Sequence, residues 1–503
     1  MNEDPENKKS SDKKENEKSK KEPEDILVES QHSISIGGEK VEYTVTTGIM
    51  ILKEEHSDRD KESEDAKPKA SFFFVAYTRN HIEDKTKRPI TFAYNGGPGS
   101  SSVWLHLGMV GPRRVFMTEE GFMPQPPFKL VDNEFSLLDI TDLVFIDPVS
   151  TGYSRPVEGQ KARDFHGFKR DIETVGEFIR LYTTRYQRWT SPKFLLGESY
   201  GTTRSAGLSG YLQDRYGMYL NGIILVSSIL DFQTARFDPG NDLPYILFLP
   251  TYAATAYYHG MVKTRKSLKT FLKEVEEFSS GDYTIALSKG WSLSDDERKE
   301  IASKLADFTG LDEDYILRTN LRIEIFRFTK ELLRKKNRTV GRLDTRFIGI
   351  DRDSAGEHFE FDPSMAAITG AYTATFYDYI RGELNYECDL PYEILNGKVW
   401  PWSFAENENN YVNVAETLRR SMNINPYLKI HVANGYYDLA TPYFATKYTF
   451  DHLGLDDSLK GNISMSYYPA GHMMYIQVQS LDAMKTNLVE FIKDAIPDQD
   501  VIN

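Results

Sequence analysis

The chain of 503 residues has a single cysteine, Cys388, and so no intrachain disulfide and no zinc site of the paired-cysteine type. No apolar run approaches the roughly 18 residues that a membrane span needs, which argues against a membrane protein. Net positive charge is missing too: 61 Lys and Arg against 75 Asp and Glu leave −14, which speaks against nucleic acid as a partner. The first 25 residues hold no aliphatic side chain beyond Met1 and no hydrophobic segment able to serve as a signal peptide. One cysteine and no visible leader together give the expectation of a cytoplasmic protein, secreted or periplasmic only if a leader has been removed.

What is present is enough apolar material for a large core, with 40% hydrophobic and 13% aromatic residues. Residues 1–25, mostly Lys, Glu, Asp, Asn and Ser, cannot bury enough surface to offset their ordering entropy and are expected to form a disordered charged tail. A second charged stretch at 53–69 reads as an exposed loop between two strands, 41–52 and 70–77. Further on, short apolar runs at 89–94, 143–147, 193–197, 222–226, 428–434 and 463–468 look like strands buried on both faces of a mainly parallel sheet. Helical patterns at 168–189, 200–214, 443–453 and 480–495 alternate with them, which predicts an α/β doubly wound fold. Between 231 and 375 the rhythm breaks into Lys/Glu-rich helical segments. The expected organisation is therefore a core at 26–230, an inserted and largely helical cap at 231–375, and the rest of the core at 376–503. Aromatic residues crowd 243–260, which suits either a hydrophobic cleft or plain core packing.

The run Gly197-Glu198-Ser199-Tyr200-Gly201 places a serine between glycines after an apolar strand and before a helical pattern. By chance such a G-x-S-x-G match occurs in about one chain in six of this length, so it needs partners. A hydrolase nucleophile works from a sharp strand-to-helix turn that lifts its hydroxyl off the sheet, and the context around Ser199 fits. An orienting acid and a base should follow in that order. Asp438 lies just beyond the strand at 428–434, and His472 follows the next strand in a Pro-Ala-Gly loop. His472 would take the proton from Ser199, and Asp438 would fix its tautomer. Read singly, a loop His is solvent-exposed or capping and Asp438 could cap a helix; three strand-end residues in the required order favour catalysis. Gly96 and Gly97, after the strand at 89–94, let backbone N–H groups face a cavity, so the N–H groups of Gly97 and Tyr200 are the candidate oxyanion hole. Neither a G-x-G-x-x-G pattern nor a Gly-Lys-Ser/Thr ending is present to suggest phosphate binding.

The segments 95–102 (NGGPGSSS), 143–156 (LVFIDPVSTGYSRP), 197–201 (GESYG), 435–442 (GYYDLATP) and 471–475 (GHMMY) together resemble, in order, the motif set of the serine carboxypeptidases. The resemblance implies an α/β-hydrolase fold with a helical cap, and removal of single residues from peptides with a free C-terminus. It implies no metal and no organic cofactor. It also implies that Asn95, Gly96 and Glu198 bind the substrate's terminal carboxylate. For Glu198 that requires a protonated carboxyl, since two carboxylates cannot hydrogen-bond each other; binding should then weaken as Glu198 ionises. The chain departs from the family pattern at Met109, where a second Glu is usual, at Ser100 in place of a Cys, and at Ala93 in place of a Trp. Two other readings follow: an esterase or acyltransferase using the same triad without reading a free carboxylate, and a non-catalytic binding protein on a hydrolase scaffold.

Overall fold

The computed structural model describes residues 22–54 and 67–497. Most of the tail expected at 1–25 and of the loop expected at 53–69 lies outside these residues. The strands of the central sheet are β1 (Ile26–Ile36), β2 (Glu39–Glu54), β3 (Lys67–Arg79), β4 (Ile90–Tyr94), β5 (Asp142–Ile146), β6 (Lys193–Glu198), β7 (Gly222–Val226), β8 (Lys429–Gly435) and β9 (Ile463–Tyr468). Their spatial order is β1-β2-β3-β5-β4-β6-β7-β8-β9, with the short segment Arg155–Pro156 also paired to β3. From β5 to β9 every neighbouring pair is parallel. At the other end β1, β2 and β3 run antiparallel, and β3 joins β5 antiparallel.

This arrangement follows from local chemistry. Every residue of β4, β5, β6 and β7 is buried, as their continuous apolar runs require of strands covered on both faces. The sequence pattern did not single out β1, although its residues alternate in exposure. It turns into β2 through Gly37 and Gly38, whose φ angles of 59° and 85° suit the left-handed geometry of a two-residue hairpin turn.

The helices are α1 (Phe168–Arg185), α2 (Tyr200–Tyr216), α3 (Leu243–Tyr258), α4 (Leu268–Phe278), α5 (Thr284–Lys289), α6 (Asp295–Thr309), α7 (Glu313–Arg318), α8 (Ile325–Glu331), α9 (Pro363–Gly382), α10 (Ala415–Ile424), α11 (Tyr443–Asp451) and α12 (Val478–Asp494). Side chains of α1, α2 and α10 such as Ile172, Phe178, Leu212 and Leu418 pack on one face of the sheet. The opposite face is covered by α9 and α12 through Ala371, Phe376, Met484 and Leu488. Helices α3 to α8 gather around a separate apolar cluster that includes Phe248, Leu272, Leu305 and Phe328. The aromatic residues of 243–260 belong to that cluster through Phe248 and Tyr252, so they serve packing and do not line the cavity at the strand ends. The cap boundary expected at residue 375 falls inside α9, whose buried face belongs to the sheet core. None of the described helices is long and apolar enough to cross a membrane.

Candidate active site

Ser199 stands alone between the end of β6 and the start of α2, at φ 60° and ψ −128°. For a residue with a Cβ this backbone is strained by about 1–3 kcal/mol and persists only where its surroundings over-determine it. The glycines around it do that. A Cβ on Gly197 would sit 2.2 Å from the Gly201 carbonyl oxygen, and one on Gly96 would sit 2.4 Å from the Tyr200 nitrogen. Hydrogen bonds fix the turn as well: the Ser199 N–H donates to the Val226 carbonyl at 3.0 Å, and the Thr202 N–H donates to the Ser199 carbonyl at 2.8 Å.

The loop after β4 docks on this turn. Arg204, on α2 and 1% exposed, donates to the Asn95 carbonyl at 2.7 Å and to Asp171 on α1 at 2.8 Å. The buried Arg204–Asp171 pair thus ties two helices to the loop carrying Asn95, Gly96 and Gly97. Gly97 has φ 102°, a conformation open to glycine. Neither its N–H nor that of Tyr200 donates to a protein acceptor among the described residues. The Tyr200 side chain points away into packing, where its hydroxyl accepts from Trp402 Nε1 at 3.1 Å.

Asp438 and His472 follow β8 and β9, two adjacent parallel strands, which brings residues far apart in sequence to one edge. His472 Nδ1 donates to Asp438 Oδ2 at 2.7 Å, so Nε2 is the free ring nitrogen. Asp438 is fully buried and also accepts from the N–H groups of Ala440 and Thr441 at 2.7 and 3.1 Å and from the Thr441 hydroxyl at 2.8 Å. Burial pulls the His472 pKa down, but the charge and hydrogen bond of Asp438, helped by Glu198, outweigh it and leave the imidazole raised.

Ser199, His472, Glu198, Asn95, Gly96 and Gly97 all line one cavity of about 310 Å³. Asp438 and the Tyr200 side chain stand behind its wall. Burial pushes the Glu198 carboxyl up to about 7, against the opposing pull of His472, the Tyr475 hydroxyl and the Asn95 amide. The Tyr475 hydroxyl donates to Glu198 Oε2 at 2.5 Å. Asn95 Oδ1 accepts from the Leu105 N–H at 3.1 Å, while its buried Nδ2 makes no hydrogen bond of good geometry with any described residue. Met109 is 1% exposed within the core and does not reach the cavity, so a tyrosine hydroxyl, not a second carboxyl, is the neighbour of Glu198. Ser100 hydrogen-bonds locally, accepting from Trp104 Nε1 at 3.0 Å.

Sequence reasoning missed a strap, residues 342–345, that runs between the Asp438 and His472 loops. The Leu439 N–H donates to the Arg342 carbonyl at 3.0 Å, the His472 N–H to the Leu343 carbonyl at 2.6 Å, and the Thr345 N–H to the Tyr437 carbonyl at 3.0 Å. Asp344 accepts from the Gly471 N–H at 3.0 Å and pairs with buried Arg346 at 2.7 Å. The strap lies in a stretch read as cap, and no periodicity marks it. The paired Asp344 and Arg346 beside Gly341 were its only visible signal. The wall facing Ser199 was missed as well; it carries Leu395 and Trp400, 50% and 52% exposed.

A model of the serine carboxypeptidase family, Peptidase_S10, matches residues 62–487. The pheromone-processing carboxypeptidase KEX1 of Saccharomyces cerevisiae is 32% identical over 160 residues, 30% of this chain and 20% of the relative, so the match spans a fifth of that protein. The crystal structure of Kex1Δp, a prohormone-processing carboxypeptidase from Saccharomyces cerevisiae, shares the fold with a TM-score of 0.53 at 16% identity, over 89% of this chain and 91% of that one. These relatives overturn the expectation of a cytoplasmic protein, because their family is secretory or vacuolar. The cysteine count was a poor guide to compartment: three large apolar clusters hold this fold together, and a core of that size needs no disulfide. With its α/β-hydrolase fold and a family match over most of its length, the chain belongs to the serine carboxypeptidase family.

Proposed function

We propose that the protein releases C-terminal residues from peptides through an acyl-enzyme intermediate. Ser199 Oγ attacks the carbonyl of the last peptide bond while His472 Nε2 takes its proton, and the N–H groups of Gly97 and Tyr200 receive the developing oxyanion. His472 then passes that proton to the leaving amine as the C–N bond breaks. Water, deprotonated by His472, attacks the acyl-Ser199 ester; the proton returns to Ser199 and the shortened peptide leaves as an acid. Asp438 holds the imidazole in its tautomer and stabilises the imidazolium. Asn95, Gly96 and protonated Glu198 take the terminal carboxylate.

The observation that carries this reading is the Asp438–His472 pair, bonded at 2.7 Å, opening on the same cavity as the strained Ser199 and the neutral-range acid Glu198. The test compares an N-blocked dipeptide with its C-terminal amide. Fast release from the free acid and slow release from the amide is expected; equal rates would sink recognition of the carboxylate. One observation favours a second reading, an esterase or acyltransferase: Met109 leaves Glu198 as the only carboxyl lining the cavity among the described residues. Simple esters turned over faster than peptides, with no preference for a free carboxylate, would support it.

A further inference from the structure

Arg342 is the one cationic side chain other than His472 that lines the cavity among the described residues. Its base is rigid. The backbone N–H donates to Asp362 Oδ1 at 3.2 Å and the carbonyl accepts from Leu439 at 3.0 Å. Its guanidinium makes no hydrogen bond or ion pair with any described residue. Glu198, the carboxyl lining the same cavity, accepts from the Tyr475 hydroxyl, and the acids of the neighbouring segments are engaged as well. Asp344 is paired with Arg346, and Asp438 with His472. Asp362 accepts from the N–H groups of Arg342, Leu343 and Ser364 at the start of α9. Arg342 is nonetheless near enough to His472 for its charge to oppose protonation of the imidazole.

Arg342 is half-buried, its guanidinium donors have no acceptor among the described residues, and its planar fork matches a carboxylate. The side of the cavity it occupies is informative. The next residue of the strap, Leu343, accepts from the His472 N–H at 2.6 Å, so Arg342 lines the cavity on the side of the group that, in the proposed reaction, hands a proton to the leaving amine. Resting on the peptidase reading above, we propose that Arg342 anchors a carboxylate of the residue released by the reaction.

That carboxylate is either the terminal one or an acidic side chain, and substrates separate the two. Four N-blocked dipeptides serve, ending in Glu, Gln, Glu α-amide and Gln α-amide, with wild-type enzyme, R342Q and R342K. A loss of kcat/KM on the order of tenfold in R342Q for the Glu peptides relative to the Gln peptides assigns the side-chain carboxylate. The same loss for both free acids, and not for the amides, assigns the terminal one. In either case R342K, which keeps the charge without the fork, recovers part of the loss. A uniform loss on all four substrates, or none, overturns the proposal. If R342Q does not fold, R342K alone decides: kinetics equal to the wild type on all four substrates overturns the proposal too. A wild type that releases nothing from any free-acid dipeptide sinks the peptidase reading itself, whereas an active wild type with an unaltered R342Q sinks this proposal alone.

Discussion

The two walls of the cavity are built by different means. One consists of strand ends: Asn95 to Gly97 after β4, Glu198 as the last residue of β6 with Ser199 after it, and His472 after β9. Its positions are locked by glycines that admit no Cβ and by the buried Arg204–Asp171 pair. The other comes from connecting segments: Arg342 and Leu343 on the strap, Met365 on α9, and Leu395 to Trp400 on a loop. That loop is held to the first wall by the Asn396 N–H donating to the Gly99 carbonyl at 2.8 Å and by the Ser101 N–H donating to the Ile394 carbonyl at 2.9 Å. In the proposed reaction the first wall carries the groups that break bonds, and the second is what remains to face a substrate's side chains. The difference teaches that chemistry is placed by the sheet, while selectivity is placed by whatever the connections bring over it.

The comparison breaks first, and most strongly, at the nucleophile. Ser199→Ala is expected to lower kcat by about 10⁵- to 10⁶-fold, with substrate binding retained, because the second wall and the carboxylate site remain. Burst kinetics and binding by calorimetry check both halves; activity within a few-fold of wild type would remove Ser199 from the chemistry.

Glu198→Gln sharpens the boundary between chemistry and recognition. With its pKa pushed up to about 7, Glu198 is protonated and able to donate to a carboxylate below that pH, and charged and repelling above it. KM for a free-acid dipeptide should therefore rise as pH climbs through about 7. A Gln is a permanent neutral donor, so that alkaline rise should vanish. Removing the anion also takes away one of the influences that raise the His472 pKa, so the acid limb of kcat/KM should move to lower pH. An unchanged alkaline rise in the variant would show that another group sets it.

The smallest effect belongs to the second wall. Trp400→Ala removes a half-exposed ring at the cavity rim and should cost about 1 kcal/mol, or about fivefold in kcat/KM. The loss should be concentrated on peptides with a large apolar residue at the cleaved bond. An identical loss on peptides with alanine there would mean that Trp400 supports the loop and not the substrate.

The order Ser199, Asp438, His472 was readable because each member follows a short apolar strand. Those before Ser199 and Asp438 are buried, whereas β9, expected to be buried on both faces, is a half-exposed edge strand covered on one side only by β8. The Gly-rich loop at 95–99 was readable for a related reason: close backbone approach excludes side chains, and the glycines record it. β1 was passed over because it lies at the sheet edge, where residues such as Glu29, Gln31 and Ser33 face water and dilute the apolar signal. Tyr475 stood within a recognised motif, but its hydroxyl's meeting with Glu198 joins residues 277 apart, and no local pattern encodes such a pair.

The sequence by itself determined the parallel sheet, the strained serine turn and the residues that would meet there, because burial and backbone strain select residue types over a few neighbouring positions. It also led to the family. Only the tertiary structure decided that Glu198 is raised chiefly by burial, with Asp438 adding to the rise and the Tyr475 hydroxyl opposing it. Only the fold, too, threads Arg342 and Leu343 between the loops of Asp438 and His472. Such outcomes depend on which distant segments are desolvated together, and desolvation belongs to the folded whole, not to any stretch of chain.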